Sequence, residues 1–240
     1  MRATGHCATI MATLVVAVMT VVAWAPPSSA STTSHRVLLY HAEETADRVA
    51  HDSTPFANDG SLHGIGPGPG QSGLAYVFGA HPANPDYVEV PASHSINPFR
   101  VDYTYAASIN IAAGTDITRD FSIFRRGAAK HAGAFYKMEI VLNRATGNLR
   151  LTCAFRDQSG IGANVSTSAA GLHDGAWHRL ICTKTATQIS LSVDGVTHTK
   201  VVALGNLTSD QPLYLGVEPV TGGYHEQFLG SMDEIAIRKG

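Results

Sequence analysis

Residues Asp174 to Gly195 leave this chain little choice of fold. An Asp174-Gly175 turn launches Trp177-His178-Arg179-Leu180-Ile181-Cys182-Thr183-Lys184, and Thr185-Ala186-Thr187 reverses it. The returning stretch alternates, with Ile189, Leu191 and Val193 on one face and Gln188, Ser190 and Ser192 on the other. It closes in Asp194-Gly195, a turn that needs positive φ, which Gly adopts at little cost. A period of two between turn residues is a β-hairpin with one buried face.

The same period recurs along the chain. Val101, Tyr103, Tyr105, Ala107, Ile109 and Ile111 fall on one face of an eleven-residue run, a pattern that excludes a helix. Further strands are expected near 37–41, 74–78, 87–90, 121–126, 134–142, 148–155, 212–217 and 228–237, roughly a dozen in all, at sandwich spacing. Residues 43–65 are expected to form an irregular loop. The Gly/Pro-rich run Ile65 to Gly73 lacks the Gly-Lys-Ser/Thr ending of a phosphate-cradling loop and is expected to be a surface loop. No linker or repeat divides the region.

Arg2 is the only Lys, Arg, Asp or Glu before residue 36, and Ala8 to Ala25 is almost wholly apolar. Ser28 and Ala30 then supply a small-x-small site. Residues 1–30 are therefore expected to be a secretory signal peptide, with residues 31–240 forming one domain that is secreted and extracellular and has no membrane attachment after cleavage. Cys153 and Cys182 survive that cleavage. Each alternates onto an apolar strand face, and an even pair in an oxidising compartment is expected to form a disulfide, pointing inward between neighbouring strands. The net charge of −2 includes no basic stripe, which argues against nucleic acid as a partner.

Three stretches resemble the LamG-like jellyroll domains of the concanavalin A-like lectin/glucanase superfamily. They are Asp174-Gly175-Ala176-Trp177-His178 with Val193-Asp194-Gly195, then Leu38-Leu39-Tyr40 with Asp52-Ser53 and Asn58-Asp59-Gly60-Ser61-Leu62, and finally Phe228-Leu229-Gly230-Ser231-Met232-Asp233-Glu234-Ile235. The resemblance implies an all-β fold, a two-sheet antiparallel jellyroll sandwich. It also implies a structural Ca²⁺ where the closing strand meets the N-terminal segment. Asp233, Asp52 and Asp59 would be ligands there, with Asn58 nearby, since Ca²⁺ prefers such oxygens. The alternative is that Asn58-Asp59-Gly60 is only a turn and Asp233 caps backbone amides.

Many enzymes of that superfamily use a strand motif Glu-x-Asp-x-Glu or its bulged form, and no Glu-x-Asp occurs in this chain. Adjacent Asp233 and Glu234 would face opposite sides of a regular strand, as would Asp86 and Glu89, three apart. No catalytic residue is assigned on this ground. His178 is expected to be a packed histidine bonded to the backbone, and Trp177 to be part of the scaffold. Tyr136, Tyr224 and Phe124 are the candidate aromatic platforms for a ligand. The expected function is a non-catalytic module binding an extracellular glycan or glycoconjugate. A protein-binding adhesion module and an atypical glycoside hydrolase are the alternatives.

Overall fold

The computed structural model describes residue 1 and residues 34–79, 84–127, 133–220 and 222–240. The expected signal peptide and its cleavage site lie outside the described residues. Eighteen strands and no helix are found among the described residues. In chain order they are β1 (His35–Tyr40), β2 (Val49–Ala50), β3 (Gly60–His63), β4 (Gly66–Pro69), β5 (Leu74–Phe78) and β6 (Tyr87–Val90). Next come β7 (Tyr103–Asn110), β8 (Phe121–Arg126), β9 (Phe135–Leu142), β10 (Leu149–Arg156), β11 (Gly162–Ser168) and β12 (Trp177–Lys184). The series ends with β13 (Gln188–Val193), β14 (Val196–Val201), β15 (Leu213–Leu215), β16 (Glu218–Val220), β17 (Gly223–His225) and β18 (Gly230–Lys239).

These strands build an antiparallel jellyroll sandwich. One sheet has the order β14-β13-β12-β7-β18-β5-β4, with β1 also pairing to β18. The other has the order β11-β10-β9-β8-β15-β6-β3-β2, and β16 and β17 form a separate small hairpin. We call the first sheet the hairpin sheet and the second the Arg125 sheet. Two expectations are corrected. Gly66–Pro69 is not loop but an edge strand on β5, a position that tolerates Pro because its missing N–H can face solvent. The segment expected to be irregular contributes β2 and β3, short strands that few apolar residues announce.

The opening hairpin forms as its alternation demands. Ile189 and Leu191 are fully buried, as are Leu180 and Cys182 opposite them. Val193 pairs with Val196 across Asp194 (φ 49°) and Gly195 (φ 87°), the doubly left-handed turn that suits the twist of a tight hairpin. His178 is not held by backbone. Its Nδ1 lies 2.7 Å from Asp194 and its Nε2 3.1 Å from Asp174. Burial opposes charge on the ring, but the two carboxylates outweigh it and raise its pKa, so His178 ties the two Asp-Gly turns together.

The inner faces meet in an aromatic core. Tyr105 of β7 packs at 5.1 to 5.6 Å from Phe124, Tyr136 and Phe155 of the opposite sheet. Its hydroxyl is satisfied by donating to Lys137 O, as buried tyrosines require. Cys153 and Cys182 are bonded, with Cα atoms 5.8 Å apart, inside the usual range. The bridge joins β10 to β12, strands of different sheets rather than neighbours. It therefore staples the sandwich through its core.

The centre of the hairpin sheet is β18, which pairs with β7, with β5 at its start and with β1 at its end. Gly230 begins it at φ 141°, where an added Cβ would lie 2.3 Å from Asn110 O. A bulge follows between Asp233 and Ala236, with Glu234 at φ 49°. The extra residue shifts the parity, so that Met232, Ile235 and Ile237 all reach the core.

Removing the disulfide should be costly. The cysteines are 29 residues apart, a loop for which the chain-entropy treatment gives about 3.6 kcal/mol. Double replacement of Cys153 and Cys182 by Ala should lower the melting temperature by well over five degrees. Non-reducing peptide mapping should recover the two cysteines in one linked peptide; free alkylation of both without reductant would contradict the bridge.

Candidate functional site

Outward-facing residues of the Arg125 sheet form a continuous row. Pairing places Ser61, Glu89, Tyr214, Arg125, Lys137, Ala154 and Asn164 side by side across seven strands. The neighbouring row contributes His63 and Tyr87 at one end, and Ser122, Glu139 and Thr152 further on. Ser122 and Arg125 share this face despite lying three residues apart, because β8 bulges between Ser122 and Phe124.

Four rings gather at the β6–β15 side. His63 stacks on Tyr87 at 4.2 Å, while Tyr224 of β17 lies 4.7 Å from Tyr87 and 6.5 Å from Tyr214. The hydroxyls of Tyr87 and Tyr224 are 2.9 Å apart. Burial, followed by Glu89 and Tyr224, pushes the Tyr214 hydroxyl up to about 12. Tyr224 is 38% exposed, so the cluster presents an aromatic surface to solvent. Of the three expected platforms it alone can meet a ligand. Phe124 and Tyr136 are 0% and 2% exposed and belong to the inter-sheet core. Trp177, expected in the scaffold, is half-buried at the start of β12, where it pairs with Asn110.

Beside the rings sits a charged cluster that the β16–β17 hairpin covers. Arg125 pairs with Glu218 of β16 and lies 3.9 Å from Glu139 of β9, while Lys137 pairs with Glu139. Glu226, just after β17, has φ 56°, and its carbonyl accepts from Ser122 N. Burial, then the nearby Glu218 and Glu139 carboxylates, push its carboxyl up to about 8 against the pull of Arg125. The shift favours the protonated form of Glu226 beside Glu218. Arg125 Nε and Nη1, Ser122 Oγ and Glu226 Oε2 are buried without a hydrogen-bond partner among the described residues.

Sequence reasoning missed this cluster. Its members are scattered over β8, β9, β16 and the residue after β17, and no local motif joins them. The available signal was the outward alternation of Lys137 and Glu139 in a strand whose inward residues are Tyr136, Met138 and Ile140.

The acidic residues expected at a calcium site serve backbone N–H groups. Asp233 is fully buried; its carboxylate accepts from Gln71 N at 2.9 Å, Ser72 N at 3.2 Å and Glu234 N at 2.6 Å. Asp52 accepts from Leu39 N, Thr54 N and Asn58 N, and Asp59 accepts from Asp52 N. Asn58, their neighbour in the motif, donates to Val37 O. Among the described residues no group of three or more His, Cys, Asp or Glu side chains is placed to share a metal ion. Glu234 points away from Asp233 and pairs with His41, so the two do not form a carboxylate pair. Asp86, buried, accepts from Gly79 N, apart from half-buried Glu89.

A two-sheet sandwich carrying an aromatic and charged outer face is thus defined. Residues 82–239 match the family described as the Concanavalin A-like lectin/glucanases superfamily, and the chain belongs to it. No curated protein sequence matches the chain. Among solved structures, the binding domain of Paraclostridial Mosquitocidal Protein 1 is similar with a TM-score of 0.63 and 15% identity, over 84% of this chain and 48% of that one. Domain 4 of AbnA, an extracellular arabinanase of Geobacillus stearothermophilus solved with arabinotriose, gives 0.59 and 18%, over 86% and 93%. The binding domain of botulinum neurotoxin DC, solved with rat synaptotagmin II, gives 0.61 and 12%, over 84% and 48%. The chain spans about half the length of the first of these. At such identities the likeness shows the fold.

Proposed function

We propose that this chain is a secreted, non-catalytic module that binds an extracellular glycan or glycoconjugate on the outer face of the Arg125 sheet. The observation that carries the reading is a ring cluster in which exposed Tyr224 is backed by buried Tyr87 and half-buried Tyr214 and His63, beside buried polar atoms that lack a partner among the described residues. Aromatic faces take the C–H faces of sugars, and fixed donors and acceptors at their edge orient hydroxyls. Superfamily membership and the likeness to a domain solved with arabinotriose support it. The disulfide supports an oxidising destination. A protein partner is the second reading, favoured by the likeness to a domain solved with synaptotagmin.

Bond cleavage is not part of the proposal. Glycoside hydrolysis needs two carboxyls about 5 to 9 Å apart flanking the bond. Glu218 and Glu139 are instead held in ion pairs by Arg125 and Lys137, and burial favours the protonated form of Glu226.

Three outcomes follow. Incubated with a panel of polysaccharides, the protein should be retained by at least one and release no new reducing ends. Tyr224→Ala should weaken that retention about tenfold, or about 1.4 kcal/mol; released sugar that vanishes on mutating a carboxylate would make it a hydrolase, and retention on none would favour the protein partner. N-terminal sequencing of exported protein should begin at Ser31; a membrane fraction that keeps residues 1–30 would contradict secretion. Because Asp233 serves N–H groups, Asp233→Ala should cost about 1–3 kcal/mol. A chelator-induced fall in melting temperature that Asp233→Asn abolishes would show calcium there.

A further inference from the structure

We propose that Arg125, Ser122 and Glu226 form a hydroxyl-binding subsite that selects neutral sugars and rejects acidic ones; this rests on the glycan reading above. Three observations lead to it. The first is a set of orphaned polar atoms on one face. Arg125 and Ser122 are 2% and 1% exposed, yet Arg125 Nε and Nη1, Ser122 Oγ and Glu226 Oε2 have no hydrogen-bond partner among the described residues. Buried polar atoms of a native fold are nearly always satisfied, so four on one patch call for an occupant. The second is their chemistry. The guanidinium offers only donors, whereas the serine hydroxyl and the protonated carboxyl each donate and accept. A hydroxyl group, itself donor and acceptor, complements that set.

The third is the charge balance. Arg125 and Lys137 supply two positive charges, and Glu139 and Glu218 supply two negative ones. Glu226 holds its proton and adds none. The cluster is neutral before anything binds, so the guanidinium has no charge left to offer an anion. A uronate, sulfate or sialate would bring a negative charge against Glu139, Glu218 and nearby Glu89, a like-charge contact that penalises the wrong ligand. The groups facing Glu226 are Glu218 from β16, Glu139 from β9 and Arg125 from β8. Once pH passes about 8, Glu226 ionises, removing a donor and adding an uncompensated charge, so neutral sugars should also bind more weakly.

The test titrates the whole chain with matched pairs: lactose and sialyllactose, galactotetraose and tetragalacturonate, arabinotetraose and a sulfated arabino-oligosaccharide. At least one neutral member should bind tenfold or more tighter than its acidic partner, about 1.4 kcal/mol. Its affinity should fall several-fold from about pH 7 to about pH 9, and Glu226→Gln should flatten that profile. Glu226→Gln should also melt higher than the parent above neutral pH. A raised carboxyl pKa means the folded chain holds a proton that the unfolded chain releases, so folding loses stability from about pH 4.5 up to about 8. Arg125→Lys, which keeps the charge but removes the fork of donors, should weaken binding of the neutral member several-fold. An acidic partner bound equally or more tightly, or a pH-independent parent, would overturn the subsite and leave the glycan reading intact. No binding of any neutral or acidic sugar would overturn both.

Discussion

Everything in this sandwich depends on one strand that serves three neighbours. β18 pairs with β7 along its length, with β5 at one end and with β1 at the other, so its side-chain parity fixes which residues of four strands face inward. A regular β18 would send Met232 and Ile235 to opposite faces. The bulge at Asp233–Ala236 prevents this, and buried Asp233 secures the bulge by accepting three backbone N–H bonds, two of them from the turn before β5. Arg179 of β12 completes the anchor by donating to Glu234 O at 2.7 Å. The left-handed Glu234 is thereby held from both sides.

β8 uses the same device for another purpose. Its bulge puts Ser122 and Arg125 on the outer face while Phe121 and Phe124 stay in the core. That brings a guanidinium, two carboxylates and a proton-holding carboxyl together under a small hairpin. Such a cluster is not a stabilising arrangement. Burying Glu226 costs free energy at neutral pH, and orphaned donors cost more. An apolar face would have been more stable. Retaining this one makes sense if something polar docks there, and the adjacent tyrosines indicate what kind of surface that ligand has.

The fold was legible where alternation was strict. Tyr103 to Ile109 and Ile189 to Leu191 face inward as their period requires, and the pairing of Cys153 with Cys182 followed from two cysteines on apolar faces. Alternation failed at the bulges, since one extra residue inverts every later assignment and nothing in Phe121 to Arg126 marks where it sits. It also could not tell which sheet a strand joins, which is why the disulfide proved to cross the core. Phe124 and Tyr136 illustrate the same limit at the site. As aromatic residues on strands they look like platforms, but only pairing shows that they point at Tyr105. Tyr224 lies in a short hairpin that its Gly-rich surroundings hide. Arg125, Glu218 and Glu226 come from three segments that only the folded chain assembles.

The most direct test of the central claim is to map ligand contact residue by residue. Heteronuclear NMR of the isotopically labelled protein, titrated with the glycan that retains it, should shift the signals of Tyr87, Tyr214, Tyr224 and the Arg125 side chain together, and leave β13 and β14 of the opposite sheet unmoved. Shifts confined to the hairpin sheet, or to the loops around Asp52 and Asp233, would place binding elsewhere and contradict the account.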